Sequence, residues 1–146
     1  MTSLFGQPVF QLYALCSAIL VVILYWLAFL TAGTRAKRKK ILNAEDVKVN
    51  SGAELVETEH PDVARIQRAH RNSLENAVPF FVIGGLYSLT EPSLIWAQGF
   101  FFSFVALRLF HAGFYLRAKQ PFRTLSFGLG AIVNLGMVVQ VIRAVM

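Results

Sequence analysis

The feature that most constrains this chain is an uncharged stretch of 23 residues near its N-terminus, residues 9–31. As an α-helix rising 1.5 Å per residue it would reach roughly 35 Å, enough to cross a hydrocarbon core of about 30 Å. The basic sequence TRAKRKK follows, which is typical of a segment that stops in the membrane with its cations among lipid headgroups. The sequence therefore predicts a helix that spans a lipid bilayer.

The rest of the chain is also too apolar for an ordinary water-soluble domain. Of its 146 residues 55% are hydrophobic and 15% are charged, and the mean hydropathy is +0.54. Three further apolar segments follow, and Pro61, Pro92 and Pro121 mark their boundaries. We predict an all-α fold, an integral membrane four-helix bundle, with one transmembrane domain over residues 1–146. Its helices are expected at about 9–34, 62–90, 93–117 and 122–145.

Lysine and arginine are concentrated in two of the three connections. Residues 35–61 carry six of them and the last connection carries three, whereas the middle connection has only Glu91. Because basic loops face the cytoplasm, we expect the loop 35–61 on that side and both termini on the other. The membrane would be the endoplasmic reticulum in a eukaryote or the inner membrane in a bacterium. The net charge of +6 is thus explained by basic loops that set the orientation in the membrane, and we predict no nucleic-acid partner.

Polar residues inside the helices gather toward the cytoplasmic side. The sequence RIQRAHRNSLENAVPFF, residues 65–81, opens the second helix and places its polar residues at steps of three and four, on one face. A charge in hydrocarbon costs roughly 2.5–3.5 kcal/mol, so such faces must turn toward each other or toward a polar ligand. The residues on the three facing helices are Arg68, Arg71, Asn72, Glu75, Arg108, His111, Tyr115, Arg123 and Thr124.

The charges of this cluster do not balance. Four arginines face one carboxylate, that of Glu75, whereas a closed salt-bridge network would come closer to neutrality. A structural network is one explanation of the cluster. The surplus of arginines favours a second explanation, a bound small anion that carries carboxylates. Arginine binds a carboxylate through two parallel hydrogen bonds.

Other chemistries have little support in the sequence. There is no HExxH motif, and neither His70 nor His111 has a second histidine or cysteine at ligand spacing, so we predict no metal site. Cys16 is the single cysteine, in an apolar helix, and is expected to be a packing residue. A proton-coupled exporter built on Glu75 is disfavoured, since the surrounding arginines would repel a cationic substrate.

The motifs resemble a known family. RIQRAHRNSLENAVPFF, followed by GGLYSL, RLFHAGFYL and PFRTLSF, is similar to the MAPEG superfamily of membrane-associated proteins in eicosanoid and glutathione metabolism. The similarity covers nearly the whole chain. It is greatest to the branch that holds microsomal glutathione S-transferase 1 and microsomal prostaglandin E synthase 1. The resemblance implies a homotrimer that binds glutathione between neighbouring subunits, near the cytoplasmic face.

The resemblance also implies roles for single residues. Arg123 would lie beside the thiol of glutathione and favour the thiolate, and Thr124 would donate a hydrogen bond to the same sulfur. Glu75 would take the amino group of the γ-glutamyl end. Asp46 and Arg108 are further candidates. The glutathione-binding residues implied by the family are Arg35, Arg68, Arg71, Asn72, Glu75, His111 and Tyr115.

Three functions remain open within this family. We expect a glutathione transferase or peroxidase that acts on lipophilic electrophiles or lipid hydroperoxides from the bilayer. A prostaglandin E synthase-type isomerase is the alternative, supported by the acidic loop residue Asp46. Thr124 and Phe127 argue against it, because the synthase has serine and tyrosine at those positions. A binding protein without catalysis is the third.

Overall fold

The computed structural model describes residues 3–146 and contains four long helices. Helices α1, α3 and α4 are long and apolar enough to cross a membrane. Helix α2 is as long as its neighbours but carries the charged motif in its first half. This arrangement confirms the predicted fold class. The helices are α1 (Pro8–Arg38), α2 (Pro61–Leu89), α3 (Leu94–Leu116) and α4 (Phe122–Val145).

The ends of the helices follow local sequence signals. Pro8 and Pro61 stand at the first positions of α1 and α2, where the missing proline N–H costs nothing. Helix α1 runs four residues beyond the predicted end at residue 34. Its last turn therefore carries Arg35, Lys37 and Arg38, which suit the negative end of a helix.

The basic connection between α1 and α2 is folded back on itself. Strands β1 (Lys40–Ile41) and β2 (Glu54–Leu55) pair in parallel, and a short 3-10 helix at Ala44–Lys48 lies between them. Ile41 is fully buried, and ion pairs of Arg35 with Glu59 and of Arg38 with Asp62 join the end of α1 to the start of α2. These ion pairs thus hold the two helices together on the basic side.

Aromatic side chains form the centre of the bundle. The rings of Phe80 and Phe104 stack with their centroids 4.6 Å apart, and Phe101 meets Phe80 edge to face at 5.7 Å. From α1, the Tyr13 hydroxyl donates a 2.7 Å hydrogen bond to the carbonyl of Phe81. Cys16 is fully buried in the same core. Such contacts bring α1, α2 and α3 into one packed unit.

Arg108 is the unexpected member of the interior, because only 2% of its surface is exposed. Its Nη2 donates to the carbonyl of Ser126 on α4 at 2.9 Å, and its guanidinium lies 5.4 Å from the centre of the Phe104 ring. No carboxylate within residues 3–146 pairs with it. Gly130 leaves the space that it occupies, since a Cβ there would stand about 3.0 Å from Cζ of the guanidinium. Arg108 therefore joins α3 to α4 through the backbone.

We expect Gly130→Ala to lower the unfolding free energy by about 1–3 kcal/mol, because the added methyl group displaces the Arg108 guanidinium. Gly128→Ala is the matched control, two residues away on the same helix, where a Cβ has no neighbour within 4 Å. The measurement is the thermal unfolding midpoint of both variants in detergent. Equal midpoints would show that Arg108 does not need the space at Gly130.

Candidate functional site

A pocket of about 250 Å³ opens on the basic side of the bundle, where the first half of α2, the end of α3 and the start of α4 meet. Alternating helix direction brings these three segments together, as the sequence predicts. Five of its six lining residues are predicted site residues, and Phe127 is the sixth. The lining residues are Asn72, His111, Tyr115, Arg123, Thr124 and Phe127.

Arg123 is held in this pocket by an aromatic ring. Its Cζ lies 4.7 Å from the centroid of the Tyr115 ring, which is the geometry of a cation–π contact. Tyr115 in turn meets His111 edge to face, with centroids 5.7 Å apart. The guanidinium of Arg123 is therefore a fixed positive charge at the start of α4, placed by two side chains of α3.

The side-chain amide of Gln120 joins Arg123 to Thr124. With its oxygen toward Arg123, it accepts hydrogen bonds from Nε at 3.2 Å and Nη2 at 2.6 Å, and its nitrogen donates to the Thr124 hydroxyl at 3.0 Å. The reverse orientation would set the amide nitrogen against the guanidinium donors. Sequence reasoning missed Gln120. The available signal was its spacing of three and four residues before Arg123 and Thr124.

His111 connects the pocket to the backbone of α4. The residue is 3% exposed, and Nδ1 donates to the carbonyl of Arg123 at 3.0 Å, which in the neutral ring leaves Nε2 as a hydrogen-bond acceptor. Nε2 of His111 and Oδ1 of Asn72 are both buried and have no partner within residues 3–146. These two unsatisfied acceptors on pocket-lining residues are available to a ligand that donates hydrogen bonds.

The charged residues of α2 lie outside this pocket. Arg68, Arg71 and Glu75 are exposed on the surface of the helix, on the same face as Asn72. Arg71 and Glu75, although spaced for contact, form no ion pair within the part of the chain that the structure describes. The single chain thus presents three of the predicted site residues on an open polar face.

Three other predicted residues have partners of their own. Arg35 pairs with Glu59, and Arg108 lies below the pocket against the backbone of α4. Asp46 is in the 3-10 helix of the basic connection, where its carboxylate accepts a 3.3 Å hydrogen bond from Asn43. None of the three lines the pocket.

Comparison with known proteins identifies the family. The model of the MAPEG family matches residues 13–143 of this chain. The chain belongs to the MAPEG family. It is 36% identical over 149 residues to microsomal glutathione S-transferase 1 of Sus scrofa, covering 99% of this chain and 96% of that protein. It is 33% identical over 140 residues to prostaglandin E synthase of Bos taurus, covering 95% of this chain and 91% of that protein. It is 31% identical over 138 residues to prostaglandin E synthase of Homo sapiens, covering 94% and 90%.

The MAPEG relatives carry two different names at nearly equal identity. Membership of the family therefore does not by itself choose between a transferase and a synthase. Thr124 and Phe127, the two positions that separate these activities in the sequence analysis, both line the pocket. Both positions thus lie at one place in the structure.

We expect Glu59→Gln to destabilise this MAPEG chain by about 1–3 kcal/mol, because it leaves the Arg35 guanidinium without its ionic partner. Glu59 is the better buried member of the pair, with 10% of its side chain exposed against 25% for Arg35. The unfolding midpoint in detergent is the measurement, and Glu57→Gln, at an exposed position two residues earlier, is the control. A loss of the same size in both variants would contradict a specific role for the Glu59 pair.

Proposed function

We propose that this MAPEG protein is a membrane-bound glutathione transferase. It would hold glutathione with its sulfur ionised and present it to lipophilic electrophiles or lipid hydroperoxides dissolved in the bilayer. The observation that carries this proposal is the arginine held over Tyr115 in a pocket beside unsatisfied hydrogen-bond acceptors. The relative named microsomal glutathione S-transferase 1 supports the transferase assignment.

Glutathione fits the chemistry of the pocket residues. It is a peptide with two amide N–H groups, an ammonium group and two carboxylates, so it can donate to acceptors and pair with guanidinium groups. The unsatisfied Nε2 of His111 and Oδ1 of Asn72 are acceptors of the kind that such donors need. Arg123 supplies a fixed cation for a negatively charged group.

Arg123 and Thr124 would favour the ionised sulfur. A free thiol has a pKa of about 8.5, and a nearby cation lowers it by stabilising the thiolate, which is the nucleophile. Thr124 carries a hydroxyl on the exposed side of the same pocket, where it can donate a hydrogen bond. The protein would then contribute mainly thiolate and proximity to the electrophile.

The membrane depth of α2 supports a site completed by other copies of the chain. A hydrocarbon core of about 30 Å takes about 20 helical residues. If Leu89 lies at one edge of the core, the other edge falls near residue 70, so Arg71 and Glu75 lie within it. Their exposed charges must then be covered by protein. The pocket of about 250 Å³ is also small, since ligand sites usually exceed about 300 Å³. We therefore propose a homotrimer in which α2 faces a neighbouring subunit.

The prostaglandin E synthase activity is the second candidate, because the relatives of that name are similar to nearly the same degree. The case for this activity is weaker because Asp46 hydrogen-bonds within the basic connection and lies outside the pocket. The purified protein with glutathione should be compared on an aryl halide, a lipid hydroperoxide and prostaglandin H. Binding of glutathione without turnover of any of the three would indicate the non-catalytic alternative.

We expect Arg123→Ala to reduce aryl halide conjugation about 100-fold or more, because the fixed cation that stabilises the thiolate is lost. Glutathione binding, measured by calorimetry, should be weakened far less than turnover. The ultraviolet absorbance of the bound thiolate should disappear at neutral pH. Arg117→Ala, at an exposed arginine at the end of α3, is the control and should keep the activity. Wild-type turnover in Arg123→Ala would remove this residue from the mechanism.

We expect Gln120→Ala to lower conjugation at neutral pH by about 10-fold, because its amide accepts two hydrogen bonds from Arg123 and positions the guanidinium. The pH profile should move toward alkaline values, since a misplaced cation stabilises the thiolate less. The rate is measured across pH with saturating glutathione, and Lys119→Ala, at the exposed neighbouring position, is the control. A lower rate with an unchanged pH profile would contradict the positioning role of Gln120.

A further inference from the structure

A second pocket lies at the opposite end of the bundle, where α2 ends, α3 begins and α4 ends. Its volume is about 400 Å³, against 250 Å³ for the pocket around Arg123. Hydroxyl, amide and guanidinium groups account for much of its lining, although two of the helices that form it, α3 and α4, are long and apolar enough to cross a membrane. The lining residues are Tyr87, Thr90, Pro92, Ser93, Trp96, Gln140, Arg143 and Ala144.

The pocket carries a positive charge that is not neutralised locally. Arg143 is exposed in the last turn of α4 and forms no ion pair within residues 3–146. Glu91, the acidic residue of the α2–α3 connection, turns away toward α1. It accepts a 3.4 Å hydrogen bond from Gln7 and lines a separate pocket with Pro8. The second pocket therefore has a cation and no acidic lining residue.

Other hydrogen-bond donors line the same pocket. Tyr87 is 2% exposed, and its ring is fixed edge to face by Phe100 at 5.5 Å and Phe101 at 5.9 Å. Its hydroxyl has no hydrogen-bond partner in the described chain, although the residue lines the pocket. Ser93 precedes α3, and its side chain makes no capping hydrogen bond to the free N–H groups of that helix. A tyrosine hydroxyl at the pocket surface and an uncapped helix start are both suited to an anion.

The position of the pocket indicates where its ligand comes from. Helix α3 has 23 residues, about 35 Å of helix, so the pocket lies about one membrane thickness from the basic connection. Trp96 at its edge is 66% exposed, as is typical of aromatic residues at headgroup depth. Toward the membrane centre, the face of α4 that carries Arg143 continues with Ile132 and Val139, which are exposed and apolar. A polar pocket thus lies directly above a surface for acyl chains.

We propose that this pocket binds the phosphate of an anionic phospholipid from the leaflet opposite the basic connection. Arg143 pairs with the phosphate, and the Tyr87 hydroxyl and the Gln140 amide donate hydrogen bonds to it. The acyl chains lie along the apolar face of α4. Arg143 could instead be a solvated cation that only complements the helix end, in which case no lipid is retained.

The test is native mass spectrometry of the full chain released from micelles that contain phosphatidylglycerol or, separately, phosphatidylcholine. We expect phosphatidylglycerol to be retained in preference to phosphatidylcholine. Arg143→Gln should raise the apparent dissociation constant for phosphatidylglycerol about 10-fold, the loss of one charge-assisted contact. Tyr87→Phe, which keeps the aromatic packing, should raise it about threefold. Arg117→Gln, at an exposed arginine on the basic side, should leave it unchanged.

Three outcomes would overturn the proposal. If Arg143→Gln retains phosphatidylglycerol as well as the wild type does, the lipid binds elsewhere. If Arg117→Gln loses phosphatidylglycerol to the same extent as Arg143→Gln, the lipid binds on the basic side. Inorganic phosphate that displaces the lipid at equal concentration would assign the site to the free ion. Glutathione conjugation by Arg143→Gln is measured in parallel and should be unchanged, so that failure of this proposal and failure of the proposed function can be told apart.

Discussion

The high free energy of a charge in hydrocarbon, about 2.5–3.5 kcal/mol even on lenient scales, is the constraint on which this structure depends. It explains why the polar side chains of α2, α3 and α4 collect at one end of the bundle. It also explains why Arg108 is enclosed by aromatic rings and a backbone carbonyl. The single chain leaves the charges of Arg71 and Glu75 exposed. The same energetic cost is an argument for the proposed neighbouring subunit, which would cover them.

Helix α3 is the element that positions the start of α4. Arg108 donates to the carbonyl of Ser126, and His111 donates to the carbonyl of Arg123, so two buried side chains hold the first turns of α4. Tyr115 and Gln120 then orient the guanidinium of Arg123 itself. The proposed thiolate-stabilising arginine is therefore placed by packing, which keeps its charge in position without reorganisation during the reaction.

The two ends of the bundle are chemically different. The basic side carries the connection clamped by Arg35 and Glu59 and the pocket around Arg123, and is suited to a water-soluble anionic peptide. The opposite end carries a polar pocket around Arg143, which is suited to a lipid phosphate.

Local sequence properties determined much of this protein. The number of helices follows from apolar length and proline positions, although α1 extends to Arg38, beyond its predicted end at residue 34. Helical spacing and the family resemblance predicted His111, Arg123 and Thr124 at one site. Tertiary structure alone decided which charges are already paired or enclosed. Arg35 meets Glu59, Arg108 is bound to the backbone of α4, and the amide of Gln120 joins two pocket residues. These contacts depend on distances between segments and on rotamers, and helical periodicity specifies neither.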